Sequence, residues 1–242
     1  MTELEAMALR KSRRSYLNQP IEPIKVNELC KLIRDCNEQS GLHIQFVEDG
    51  SAAFARFSKS YGMLSGVRSL LAMVARTDDP HHLEKVGYFG ELLVLRATML
   101  GLGTCWVGGT FENAACPCEI GEGQRLICVI TVGCVTEQFG TKERALYGLT
   151  HLKKSKIKQL YSADQTPASW FLDGVKAVDL APSAVNRKPV RVKYIDGRTF
   201  IGIEKLDPVC YIDLGIAKYH FELAAGGRFS LGNNAPFEKT ER

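Results

Sequence analysis

Two helix-like segments in this chain are framed in the same way. GELLVLRATMLG runs from Gly90 to Gly101 and GIAKYHFELAAG from Gly215 to Gly226, so the same glycine-to-glycine interval closes twice around an apolar stretch. Other matches keep the same order. FVEDG ends at Gly50 and KYIDG at Gly197, each a similar interval after a helical pattern, and the basic KSRR around residue 13 has a weaker counterpart in LKKSK around residue 154. Chance alone produces single matches of this kind in a chain rich in Leu, Ala and Gly, but their shared order predicts one structural unit used twice. The expectation is two tandem, pseudo-symmetric halves, residues 1–145 and 146–242, the second packed intimately on the first. A chain of 242 residues that is 45% hydrophobic has enough apolar material for such an arrangement.

Local patterns fill in the halves. Residues 2–10 read as a helix ending near Lys11, Arg13 and Arg14, and Pro20 and Pro23 punctuate the link that follows. Val26, Leu29, Leu32, Ile33 and Cys36 recur at helical spacing over 25–38, and HIQFVED follows as a short strand. VRSLLAMVAR, 67–76, has the continuous apolar character of a buried strand, with a buried turn of helix as the alternative. A helix over about 80–100 begins at an acid and Pro80 and ends in glycines; TCWVGG and the strand LICVITVG come next. Residues 140–170 are polar and less regular, which suits a crossover between halves. The pattern resumes with a helix to about 180, strands near 190–195 and 199–204, a helix over about 211–225 and the tail GGRFSLGNN.

Several classes of function are disfavoured. No stretch approaches the roughly 20 apolar residues that cross a bilayer, and MTELEAMALRKSRRS places acids early with no apolar core, unlike a secretion signal. The expectation is therefore a soluble, cytoplasmic protein with no membrane partner. Eight cysteines, at 30, 36, 105, 116, 118, 128, 134 and 210, form neither a small disulfide scaffold nor paired CxxC ligands, so free thiols and no metal site are expected. A formal charge of +4, spread along the chain, suits an anionic cofactor as well as a weak nucleic-acid surface. His43, His81, His82, His151 and His220 form no HExxH pair or obvious catalytic triad, and GxGxxG and GxxxxGK[ST] are both absent.

Three stretches could carry chemistry. Arg13, Arg14 and Ser15 are a compact set of donors suited to phosphate oxygens, or else a solvated basic patch at a helix C-terminus. Trp106, Val107, Gly108 and Gly109 bring two glycines after a helix and turn, which lets backbone N–H groups approach a planar ligand; a tight turn accounts for them almost as well. LAPSAVNRKPV, 180–190, offers Asn186 as a paired donor and acceptor for an amide-like ring edge, with Pro182 and Ser183 shaping the wall. Its alternative is a proline-bounded turn with local hydrogen bonds.

Together these pieces resemble the FMN-dependent nitroreductase family. KSRRSYLNQPI resembles the family's N-terminal arginine-serine phosphate motif, LAPSAVNRKP its proline-serine-x-x-asparagine flavin loop, GELLVLRATMLGLGTCWVGG its core helix and following glycine segment, and LICVITVG the next strand. The order departs from ordinary members, in which two subunits complete flavin sites across a dimer interface. Here the flavin loop is missing from the early position, where SGLHIQF stands, and appears in the second half, while the second half has KKSK where the arginine-serine motif would fall. Each half lacks what the other supplies. The resemblance thus points to the divergent single-chain branch, a monomer imitating a homodimer. It implies an α+β (α/β layered) nitroreductase-like fold in which each half is a mixed or antiparallel sheet flanked by helices.

It further implies one complete site. Arg13, Arg14 and Ser15 would hold FMN phosphate and ribityl oxygens, Trp106, Val107, Gly108 and Gly109 would contact the ring, and Pro182, Ser183 and Asn186 would reach over from the other half. Lys188 stands where the family usually has glutamine, and either favours a reduced anionic flavin or points to solvent. The implied activity is transfer of reducing equivalents from NAD(P)H through FMN to a nitroaromatic, quinone or similar small-molecule acceptor, the hard chemistry being the flavin's and no side chain being called on as a catalyst. The alternatives are a flavin-binding or storage protein without efficient turnover and, more remotely, a basic nucleic-acid-binding protein.

Overall fold

A computed structural model describes residues 1–55, 64–140, 143–145, 148 and 157–240. A short α1 (Glu3–Leu9) is closed at its start by a reciprocal capping box between Thr2 and Glu5. α2 (Pro23–Ser40) begins on the proline expected to mark a linker, because at the first helical position proline gives up an N–H that would be unpaired anyway. β1 (His43–Val47), β2 (Ser69–Arg76), α3 (His82–Met99), β3 (Gly103–Val107) and β4 (Gln124–Gly133) complete the first half. The second contains β5 (Tyr161–Ala163), α4 (Ser169–Leu180), β6 (Val190–Ile195), β7 (Arg198–Ile203), α5 (Pro208–Ala225), β8 (Gly227–Phe229) and β9 (Ala235–Lys239). α5 starts earlier than its periodicity suggests because Asp207 caps it, accepting the Cys210 N–H at 2.8 Å, with Pro208 next.

The duplication is visible in the topology. The first sheet runs β1-β2-β4-β3 and the second β6-β7-β9-β8, with β5 added at its β6 edge. Helix, strand, strand, helix, strand, strand is thus laid down twice in one spatial order. Gly50 and Gly197 follow the equivalent strands β1 and β6. β5, which follows the first half in sequence, pairs in parallel with β6 of the second. Between them the sheets are antiparallel in every other pairing.

Each half buries its own core, one around Leu71, Met73, Leu93 and Ile130 and one around Phe171, Val192, Ile201 and Phe221. The halves meet where α3 and α5 pack more extensively than any other two elements. Gly87 lies against the Ile212 carbonyl and Gly215 against the Glu84 carbonyl and the Tyr88 N–H, so the two backbones touch. Gly87 and Ile212 are separated by the same interval that separates Gly90 from Gly215, so the contact joins equivalent positions of the two copies. α1 packs across this junction, burying Ala6 and Met7 with Leu95, Ala177 and Tyr219. The KKSK segment lies outside the described residues.

Candidate functional site

The N-terminal segment after α1 is extended, with bridges from Ser12 to Thr104 and from Ser15 to Ser65. Side chains along extended backbone alternate in direction. Arg13 is buried and bonded within the protein: its Nη1 donates to the Thr136 carbonyl at 2.8 Å, and its Nε and Nη2 reach the Glu143 carboxylate at 3.3 Å. Its guanidinium also lies over the Phe139 ring. Glu143 accepts in addition from the backbone N–H groups of Arg14, at 2.5 Å, and Ser15, at 3.0 Å. Burial alone would raise the Glu143 carboxyl, but the Arg14, Arg13 and Ser15 donors outweigh it and hold the group below the usual carboxylate range. Arg13, expected to hold phosphate, is here paired with a carboxylate of the protein itself.

Two neighbouring arginines differ. Among the described residues the Arg14 guanidinium has no hydrogen-bond partner. Arg10, whose side chain is 11% exposed, has only a 3.7 Å ion pair with Glu91, and its Nε is buried without a hydrogen bond. Burial raises the Cys105 thiol, and the charges of Arg14 and Arg10 both act against that rise, which places the two guanidiniums near the same thiol. Arg10 was passed over in the sequence, where the RRS run drew attention; the alternation of an extended segment, counting back from Arg14, is the signal that would have found it.

Glu91 gathers the other residues. Its Oε2 accepts from Trp106 Nε1 at 3.0 Å, so the indole is anchored inward on α3. Val107 is buried, whereas Gly108 and Gly109 are exposed, with φ outside the left-handed region and no atom within 4 Å of a side chain added at either. Among the described residues neither turn geometry nor internal packing accounts for glycine there.

From the second half, residues 181–189 join α4 to β6, the place taken in the first half by the short turn at Gly41. Val185, Asn186 and Lys188 all have positive φ, three of the five non-glycine residues of this kind among the described residues. Val185, β-branched and 82% exposed at φ 46°, is held in a conformation that costs about 1–3 kcal/mol. The Lys188 N–H donates to Ser183 Oγ at 3.0 Å, and Asp213 of α5 accepts from the Ala184 N–H at 3.1 Å. Lys188 neither points to solvent nor presents its charge outward. Its Nζ donates to the Asp179 and Ala181 carbonyls, closing the end of α4, and burial lowers its pKa to about 8. Pro182, Ser183, Lys188 and Asp213 line a cleft beneath the loop with Val178 and Ala217.

A family model described as "Putative TM nitroreductase" matches residues 3–225. The chain belongs to this family. The nitroreductase fold is also shown by a crystal structure described as a "putative nitroreductase" from Thermotoga maritima MSB8, with a TM-score of 0.63 and 21% identity over 98% of this chain and 92% of that one. Nitroreductases with bound FMN from Bacteroides fragilis and Desulfitobacterium hafniense each have a TM-score of 0.46, with 15% and 17% identity; they match 58% and 57% of this chain and 91% and 92% of their own. Among curated proteins none matches the sequence. Family and fold are consistent with FMN-binding NAD(P)H oxidoreductase activity in general.

The residues present fit FMN. Among the described residues, a buried Arg10 Nε without a hydrogen bond, an Arg14 guanidinium without a partner and an uncovered backbone at Gly108 and Gly109 match an anionic cofactor with a planar ring. Among the described residues no group of side chains could hold a metal ion, and no helix is long and apolar enough to cross a membrane.

Asp213, which pins the loop of residues 181–189 through Ala184, has its pKa raised from 3.8 to about 6, mainly by burial, with the Ala184 N–H and Arg187 pulling the other way. Because the folded state holds this proton more tightly than the unfolded chain, the associated stability is full below about pH 4 and is lost as pH rises through 6. Asp213→Asn should remove that loss. Relative to the parent, we expect it to gain on the order of 2 kcal/mol between pH 4 and pH 7.5, measured by urea denaturation at both pH values; a parallel pH dependence in the two proteins would contradict the assignment.

Proposed function

We propose that this protein is an FMN-dependent oxidoreductase that passes reducing equivalents from NAD(P)H to an electron-poor small molecule, such as a nitroaromatic or a quinone, by a ping-pong mechanism. FMN, when bound, supplies the ring that takes up and releases the electrons. The chain's own residues bind and orient. Arg10 and Arg14 face the anionic part of the cofactor, with Ser15 at the end of the same segment and Arg13 bracing that segment through Glu143. Trp106, Val107, Gly108 and Gly109 provide the surface on the first half. Pro182, Ser183 and Asn186 close the site from the second, and Lys188 fixes the shape of their loop. In this reading residues 1–145 and 146–242 each bring what the other lacks, and the monomer works as a homodimer would.

The observation that carries this reading is Arg10: a largely buried guanidinium whose Nε has no hydrogen bond among the described residues and only a 3.7 Å ion pair with Glu91, the carboxylate that also accepts the Trp106 indole N–H. A buried charged donor whose hydrogen-bonding capacity is not fully used is costly and suits a ligand that completes it.

Purified protein should be yellow and release about one FMN per chain, and two flavins per chain would overturn the arrangement. NADH or NADPH should bleach the bound flavin rapidly, whereas a storage protein would resist reduction. Arg10→Ala should weaken FMN binding by about tenfold to a hundredfold, the worth of one or two charge-assisted hydrogen bonds. Flavin fluorescence titration reads this out, and unchanged affinity would remove Arg10 from the site.

A further inference from the structure

We propose that His220 is a positioning residue for the cofactor site, acting with Glu91 as a proton-sharing pair that holds Arg10 and Trp106 in place across the junction of the halves. The proposal rests on the function proposed above.

Glu91 and His220 are both 0% exposed, on α3 and α5 respectively. His220 Nε2 lies 3.0 Å from Glu91 Oε1, and its Nδ1 lies 3.1 Å from the Ala177 carbonyl of α4. A carbonyl can only accept, so Nδ1 carries hydrogen. The contact on the other side then needs one more proton, either on the imidazole facing a carboxylate or on the carboxyl facing a neutral imidazole. In both states one proton lies between Glu91 and His220.

The remaining capacity of Glu91 is directed at the site. Its Oε2 takes the Trp106 indole N–H and its Oε1 faces Arg10 Nε. The carboxylate therefore joins the segment after α1, α3 and β3 to α5, and through Ala177 to α4, the helix that leads into residues 181–189. In the sequence repeat, Ile216 and Leu95 are the counterparts of Glu91 and His220. The pair occurs once and breaks the pseudo-symmetry at the side where the complete site is proposed. Fixing a binding group to about 0.5 Å requires support of this kind behind it.

The test combines flavin binding with a spectroscopic signal that does not depend on flavin. In His220→Leu, FMN binding should weaken at least about tenfold, and the side-chain N–H resonance of Trp106, assigned with Trp106→Phe, should shift in the flavin-free protein. Adding Arg10→Ala to His220→Leu should cost little beyond Arg10→Ala alone, because both changes remove the same interaction. His220→Gln, which keeps a donor toward Glu91, should recover most of the affinity. Should His220→Leu not fold, Glu91→Gln serves in its place, since it preserves shape and Trp106's acceptor while removing the attraction for Arg10. Additive losses with Arg10→Ala, or an unmoved indole signal, would overturn the proposal. Absence of FMN binding in the parent protein would instead refute the flavin reading, and the indole signal would still decide whether the pair holds Trp106.

Discussion

Gly215→Ala is expected to cost about 3 kcal/mol of stability, although alanine is the better helix former by about 1 kcal/mol. The two effects have opposite signs, which makes the experiment decisive. A methyl group at 215 would fall deep inside contact distance of the Glu84 carbonyl and the Tyr88 nitrogen. Both are backbone atoms of a helix and cannot rotate away, so α3 and α5 would have to separate. Separation would lengthen every contact across the crossing, including that between Glu91 and His220. Gly87→Ala should behave similarly, since its methyl would meet the Ile212 carbonyl. A lowered urea midpoint is the expected result; a raised midpoint would mean that the helices do not approach so closely.

The second large effect is expected at Lys218. This lysine is 2% exposed, as is its partner Glu84, and its Nζ also donates to the Ser230 and Gly232 carbonyls at 2.8 Å. Glu84 in turn accepts the Gly232 N–H at 2.8 Å. One ion pair thus ties α3 of the first half to α5 and to the turn before β9. Burial pulls the Lys218 pKa down and Glu84 pulls it up, burial being the larger influence. Lys218→Met leaves the Glu84 carboxylate buried without its cation and should cost about 3–5 kcal/mol. Changing Glu84 to Met in the same protein should return a good part of that loss, because an uncompensated buried charge is worse than none. Calorimetry of the two single variants and the double variant measures the coupling, and simple additivity would show that the pair does not act as a unit.

Much of the fold was legible because its signals are local. The glycine frames at 90–101 and 215–226, the apolar run at 69–76 and the helical spacing over 25–38 depend on backbone geometry and burial, which act within a few residues. Their repetition implied the tandem halves before any contact was known. The departures were also local, as where Pro23 and Pro208 turned out to begin helices.

The site was less legible because direction is not a property of composition. KSRRS announced a cationic segment, yet the sequence could not say that Arg13 would pair with Glu143, a residue far along the chain, or that Arg10 would be the buried cation left without a hydrogen bond. LAPSAVNRKPV announced a loop of a known kind, yet Lys188 proved to be a helix-end clasp, and the strain at Val185 and Asn186 is fixed by anchors on either side. The sequence by itself determined that one structural unit would be used twice. Only the tertiary structure decided that Arg13 pairs with Glu143 and that Glu91 meets Arg10 and His220, because long-range ion pairs form only once the halves have packed and excluded the water that would otherwise satisfy those charges.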